Sequence, residues 1–100
     1  MKYYISILLL SISGLTFSQI KLEGYVKDSI GNPLELANVI AINKATSALD
    51  SYGITNDEGK YRLDLKKNTL YSIQVSYIGM KSMTQAIHTG ESNVNKNFTL

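Results

Sequence analysis

Four separated runs set tight limits on this chain: Gly24-Tyr-Val-Lys-Asp-Ser-Ile-Gly-Asn-Pro-Leu34, Ala37-Asn-Val39, Gly53-Ile-Thr-Asn-Asp-Glu-Gly-Lys-Tyr-Arg-Leu63 and Val75-Ser-Tyr-Ile-Gly79. They are short strand-like stretches punctuated by turn formers. Alternation of period two puts one face of a strand in a core and the other in water. Glycine supplies positive φ, and proline fixes φ while removing a donor, so the turn formers reverse the chain between strands. Spaced this closely, such signals favour a small antiparallel β-sandwich.

The alternation is clearest at the start. Ile20, Leu22, Gly24 and Val26 share one face against Lys21, Glu23, Tyr25 and Lys27, which predicts a half-buried strand over 20–28. Further strands are expected over 38–43, 51–55, 60–65, 69–77, 80–88 and 94–100. Ile40 and Ile42 oppose Val39 and Ala41 on the second of these, an apolar pattern on both sides that implies cover on both. The segment 44–50 reads as a loop. Seven short strands with turns between them and no convincing helix predict an all-β, seven-stranded antiparallel sandwich. Its expected core includes Leu22, Val26, Val39, Leu63, Ile73, Val75 and Phe98. Gly31, Pro33, Gly53, Asn56, Asp57, Gly59 and Gly79 are the expected structural turn residues.

One hundred residues allow one domain. Residues 1–18 carry one early lysine, an apolar run broken by serines, and small residues at Thr16 and Ser18. That is the pattern of a secretory signal cut before Gln19, and the run is short for a membrane span. The domain then occupies 19–100. The chain has no cysteine, so a lipid attached through cysteine, disulfides and thiolate metal sites are all excluded. Ten basic residues less Lys2 leave nine against eight acidic ones in 19–100. They are scattered along the sequence, so no nucleic-acid partner is expected. The final strand runs up to Leu100, an arrangement that implies an open edge or a chain continuing into something longer.

No residue grouping advertises a reaction. The Asn56-Asp57-Glu58 turn, even with Asp50, falls short of the six or more oxygens a calcium ion needs. It reads instead as a hairpin turn, with Asp57 bonding backbone amides and Gly59 in the left-handed conformation. His88 is the one histidine and sits at a strand end with no partner at triad or zinc spacing. Lys21, Lys27, Glu23, Asn95 and Asn97 contain the parts of a Lys–Asn isopeptide cross-link. They fall on outward faces, whereas that chemistry requires a desolvated lysine. Tyr61, Tyr71 and Tyr77 belong to core faces with their hydroxyls at the rim, and Tyr25 and Tyr52 to the surface. Asn97-Phe-Thr99 matches the glycosylation triplet, a chance-level match. No cofactor is expected.

These runs resemble the carboxypeptidase-regulatory-like domain, a transthyretin-like (Greek-key, prealbumin-like) sandwich related to CnaB-type modules. The resemblance rests on Gly24-x-Val26-x-Asp28, Gly31-x-Pro33-Leu34, Ala37-x-Val39, and Gly53-x-Thr55-Asn56-x-x-Gly59-x-Tyr61, where Asn56 and Tyr61 replace the usual Asp and Phe. The Val75-Ser-Tyr-Ile-Gly79 run is similar to versions that precede TonB-dependent outer-membrane receptors. The resemblance implies a structural or interaction domain without catalytic residues, exported to the periplasm or outer membrane. Its partner would be another protein or the remainder of a longer receptor chain. A stand-alone secreted binding domain, recognising carbohydrate for example, is the alternative.

Overall fold

A computed structural model describes residues 19–100; the signal segment expected over 1–18 lies outside the described residues. Among the described residues, eight strands occur in chain order: β1 (Gln19–Lys27), β2 (Asn38–Asn43), β3 (Leu49–Ile54), β4 (Lys60–Lys66), β5 (Leu70–Ser76), β6 (Met83–His88), β7 (Val94–Asn95) and β8 (Phe98–Thr99). They form two sheets. In the first, β1 is central, with β4 antiparallel on one side and β7 and β8 on the other. The second has the order β3-β2-β5-β6, antiparallel throughout.

The alternation read from the sequence becomes the sandwich interior. Ile20, Leu22 and Val26 of β1 and Tyr61, Leu63 and Leu65 of β4 meet Val39, Ala41, Tyr71, Ile73 and Val75 of the second sheet, all buried. Phe98 closes the core from β8, its ring 5.8 Å from that of Tyr61. Every expected core residue is buried. Burying a side chain of this size contributes about 1.5–3 kcal/mol, which matters in a domain that holds no disulfide.

The largest departure from expectation is the last strand. One antiparallel strand over 94–100 was predicted; the structure has two short pieces, both parallel to β1. The register is unchanged across the gap, with Leu22 opposite Val94 and Val26 opposite Phe98, so the ladder is interrupted, not slipped. At the break the Lys96 carbonyl turns away and accepts the Tyr61 hydroxyl at 2.6 Å. Asn97 Oδ1 takes over in the ladder, accepting the Tyr25 N–H at 3.0 Å. Period two reports which face a residue takes and says nothing of strand direction.

Two smaller corrections concern the second sheet. β3 begins at Leu49, inside the expected loop 44–50, because the ladder shifts between Ala41 and Ile42 and pairs Ile42 with Leu49. The cover expected on both sides of β2 is also missing. Ile40 and Ile42 are half-buried on the outer face, with no layer of the described residues over them.

Candidate interaction surface

The turn residues land in distinct roles. Asp28 organises the first turn, its Oδ1 accepting the N–H groups of Ile30 and Asn32 at 3.1 and 2.8 Å. These bonds, that of Asn32 foremost, hold its carboxyl below the ordinary value. Gly31 occupies φ 92° there, and Pro33 comes next but one, bridged to Lys27. Gly79 (φ 79°) sits in the turn closed by Met80 N–H donating to the Tyr77 carbonyl at 3.1 Å. Gly59 has φ 75° as expected. The backbone-bonding role expected of Asp57 belongs to Asn56, whose Oδ1 accepts from both Glu58 and Lys60 N–H at 3.0 Å. A side chain at the first turn position reaches forward to the amides two and four residues on, whereas Asp57 points to solvent. Gly53 is not a turn residue. It lies inside β3 opposite Val39, and an added Cβ would stand 3.0 Å from the Arg62 carbonyl oxygen of β4.

The residues weighed for chemistry are dispersed. His88 is exposed at the end of β6 opposite Leu70. Lys21, Lys27, Asn95 and Asn97 are exposed and Glu23 is half-buried against Arg62, 3.9 Å away. The inward positions beside them are the apolar pairs Leu22–Val94 and Val26–Phe98. No three His, Asp or Glu side chains among the described residues lie close enough to hold a metal ion, and those residues enclose no pocket.

Three buried or half-buried polar groups, Thr55, Thr89 and Asp50, tie the sandwich ends together through bonds that the sequence patterns did not foresee. Thr55 is buried, donating its hydroxyl to the Leu34 carbonyl and accepting the Ala37 N–H at 2.8 Å. Thr89 donates to the Lys66 carbonyl at 2.6 Å and accepts the Thr69 N–H at 2.9 Å. Asp50 is the extra residue where the β2–β3 ladder shifts, and it is re-aimed inward, as such irregularities commonly do. Its Oδ2 accepts the Tyr71 hydroxyl at 2.9 Å and Asn43 Nδ2 at 3.3 Å, with Lys66 Nζ at 3.7 Å. The Tyr71 bond, with help from Asn43 and Lys66, lowers the Asp50 pKa; burial raises that of Tyr71. The threonine of the Gly53-x-Thr55 motif, directly after β3, was the one sequence signal for any of these bonds.

The structure also sorts the charges. Strands β1 and β4 gather Lys21, Glu23, Lys27, Lys60, Arg62, Asp64 and Lys66 on the outer face of the first sheet. The outer face of the second has no formally charged side chain. It presents Leu49, Tyr52 and Ile54 on β3, Asn38, Ile40 and Ile42 on β2, Leu70, Ser72, Gln74 and Ser76 on β5, and Thr84, Ala86 and His88 on β6. The apolar members cluster at the β3 edge, where Tyr52 is 67% and Ile54 53% exposed. Leu36, 69% exposed, stands at the same end with φ 66°, a conformation that a bulky side chain adopts only when the surroundings impose it. An uncharged sheet face beside an open edge suits contact with another protein.

Several solved structures share this architecture. The Bacillus anthracis TIE protein matches 83% of this chain with 17% of its own, at 19% identity and a TM-score of 0.67. Catechol 1,2-dioxygenase from Acinetobacter sp. ADP1 matches 76% of this chain with 38% of its own, at 17% identity and a TM-score of 0.58. Chlorocatechol 1,2-dioxygenase from Pseudomonas putida matches 71% with 44%, at 11% identity and a TM-score of 0.58. At such identities the likeness is one of fold, and the chain spans less than half of each of these proteins. No curated protein matches it significantly. The model of the carboxypeptidase regulatory-like domain, a non-catalytic module, matches residues 21–100. The chain belongs to the carboxypeptidase regulatory-like domain family.

Proposed function

We propose that this chain is an exported, non-catalytic sandwich that works by protein contact, as the periplasmic N-terminal domain of a TonB-dependent outer-membrane receptor. The observation that carries the contact role is the uncharged outer face of the second sheet, with exposed Tyr52 and Ile54 at its β3 edge. Its family membership supports a role without catalysis. The Val75-Ser-Tyr-Ile-Gly79 run supports the receptor setting. The edge expected over 94–100 is a poorer template, because its ladder is broken at Lys96 and Asn97. Strand addition needs a row of free backbone groups, which the regular part of β3 past Asp50, residues 51–54, supplies.

The reading frame downstream of Leu100 tests the receptor setting. A plug and barrel in frame supports it; a stop codon there would favour a stand-alone secreted binding domain. Hydrolase turnover or stoichiometric zinc in the purified chain, lost on His88→Ala, would overturn the non-catalytic reading.

A further inference from the structure

Two turns meet at one end of the sandwich, 28–37 between β1 and β2 and 55–59 between β3 and β4. They hold one another. Leu36 N–H donates to the Thr55 carbonyl at 3.1 Å and Thr55 N–H to the Ala37 carbonyl at 3.0 Å, while Gly59 lies against Pro33 and Leu34. From this joined tip Ile30 projects 82% exposed and Leu36 69%. The turn 77–80 lies at the same end, since Asn38 stands opposite both Ile54 and Ser76, and it holds out Ile78. Large apolar side chains held in water in this way mark a contact site.

Charge on the joined tip has one sign. Asp28, Glu35, Asp57 and Glu58 are four of the chain's eight acidic residues, and neither turn contains a lysine or arginine. Among the described residues, the ion pairs take Glu23, Asp50 and Glu91, so these four carboxylates are unpaired. The cations at this end point elsewhere or belong to another turn. Lys27 leans over the Tyr25 ring, 5.6 Å from its centroid, and Lys60 stands across from Tyr25 on the outer face of the first sheet. Lys81 follows the turn 77–80.

We propose that this tip docks a basic, amphipathic segment of another protein. Apolar side chains of that segment cover Ile30 and Leu36, and its lysines or arginines meet Glu35, Asp57 and Glu58. Charge complementarity selects the occupant. An anionic lipid surface or a nucleic acid is repelled by four carboxylates. A second copy set tip to tip opposes those carboxylates to their own. Set head to tail, it offers Lys44 and Lys67, and Lys67 is already paired with Glu91 at 3.8 Å. The apolar pair supplies the area removed from water, and the surrounding charges orient and speed the encounter. So small a surface buries less than about 1,200 Å², which makes the contact weak and transient. The tip lies beyond the outer face of the second sheet, and its role does not depend on the receptor setting.

The test is a titration of the exported chain with a short peptide of alternating lysine and leucine, up to about 1 mM, read by amide chemical shifts. Changes confined to 28–37 and 55–59 are expected. Glycine in place of the leucines, or glutamate in place of the lysines, should weaken binding about tenfold or more. Leu36→Asn keeps the fold, because asparagine tolerates the φ of 66° found there, and should cost about tenfold in affinity. Glu35→Gln combined with Glu58→Gln should do the same and remove most of the salt dependence. Glu91→Gln, at the far end, should leave binding unchanged. No shifts at about 1 mM, shifts centred on the strands, or a glutamate peptide bound as tightly as the lysine one overturns the proposal. So does a silent Leu36→Asn, an equal loss on Glu91→Gln, self-association centred on the tip, or binding of the tip to phosphatidylglycerol vesicles in place of the peptide.

Discussion

Gly24 and Lys96 approach so closely that a Cβ on Gly24 would stand 1.8 Å from the Lys96 carbonyl oxygen. That carbonyl is the one that leaves the ladder to accept the Tyr61 hydroxyl, while Lys96 N–H stays bound to the Glu23 carbonyl at 2.9 Å. Glycine at position 24 therefore sets how the last strand joins the first sheet.

Gly24→Ala should loosen β7 and β8 from β1, since neither backbone can yield without breaking these bonds. A loss of about 2–4 kcal/mol is expected, in the range of severe overpacking. Tyr61→Phe, which removes only the hydroxyl, should cost about 1–2 kcal/mol. Denaturant midpoints give both values, and amide exchange at Lys96 and Leu100 should quicken first in the alanine variant. Equal midpoints for Gly24→Ala and the parent would remove this account of the break.

Two glycines of similar φ separate backbone strain from crowding. Gly31 (φ 92°) has nothing within 4 Å of an added Cβ, whereas at Gly59 (φ 75°) the Val26 carbonyl oxygen would be 2.7 Å away. Gly31→Ala should cost about 1 kcal/mol, from the left-handed conformation alone. Gly59→Ala should cost at least twice that, about 2 kcal/mol or more. The order of the two urea midpoints decides the matter.

Thr55 is a buried hydroxyl with both partners on the β1–β2 connection. Thr55→Val keeps the shape and strands the Leu34 carbonyl and Ala37 N–H, at about 1–3 kcal/mol for each buried orphan. Thr55→Ser should retain most of the stability. If serine and valine destabilise alike, the methyl group and not the hydroxyl is what matters.

The Asp50–Tyr71 bond links stability to pH at both ends. The folded pKa of Asp50 is lowered from 3.8, so below neutrality the unfolded chain binds the proton first. Its contribution is complete above the unfolded pKa and is lost as pH falls through the folded one. The pKa of Tyr71 is raised from 10.0, so its contribution is complete below the unfolded pKa and lost as pH rises through the folded one. Tyr71→Phe should cost about 1–3 kcal/mol near neutrality and flatten both limbs. Urea midpoints from acid to alkaline pH check this, and an unchanged acid limb in Asp50→Asn would show that the carboxylate's environment is ordinary.

Much of the fold is legible in single residues. Leu22, Val26, Leu63, Ile73 and Val75 announce their faces because a half-buried strand tolerates only one pattern. Gly31, Gly59 and Gly79 announce turns because other residues resist their φ values. The family motif names Gly24 without its reason, which is a carbonyl from a segment 72 residues away.

What the sequence alone determined is therefore local: which side of each strand is apolar, where the chain reverses, and that no cysteine takes part. Tertiary structure decided the parallel pairing of β7 and β8, the placing of Asn56 and not Asp57 as the amide acceptor, the withdrawal of Asp50, and the gathering of charge onto one sheet. Each of these depends on how distant segments meet. Alternation fixes a side chain's face to within a choice of two, but register, strand direction and the neighbours across a sheet come from packing the two sheets on one core.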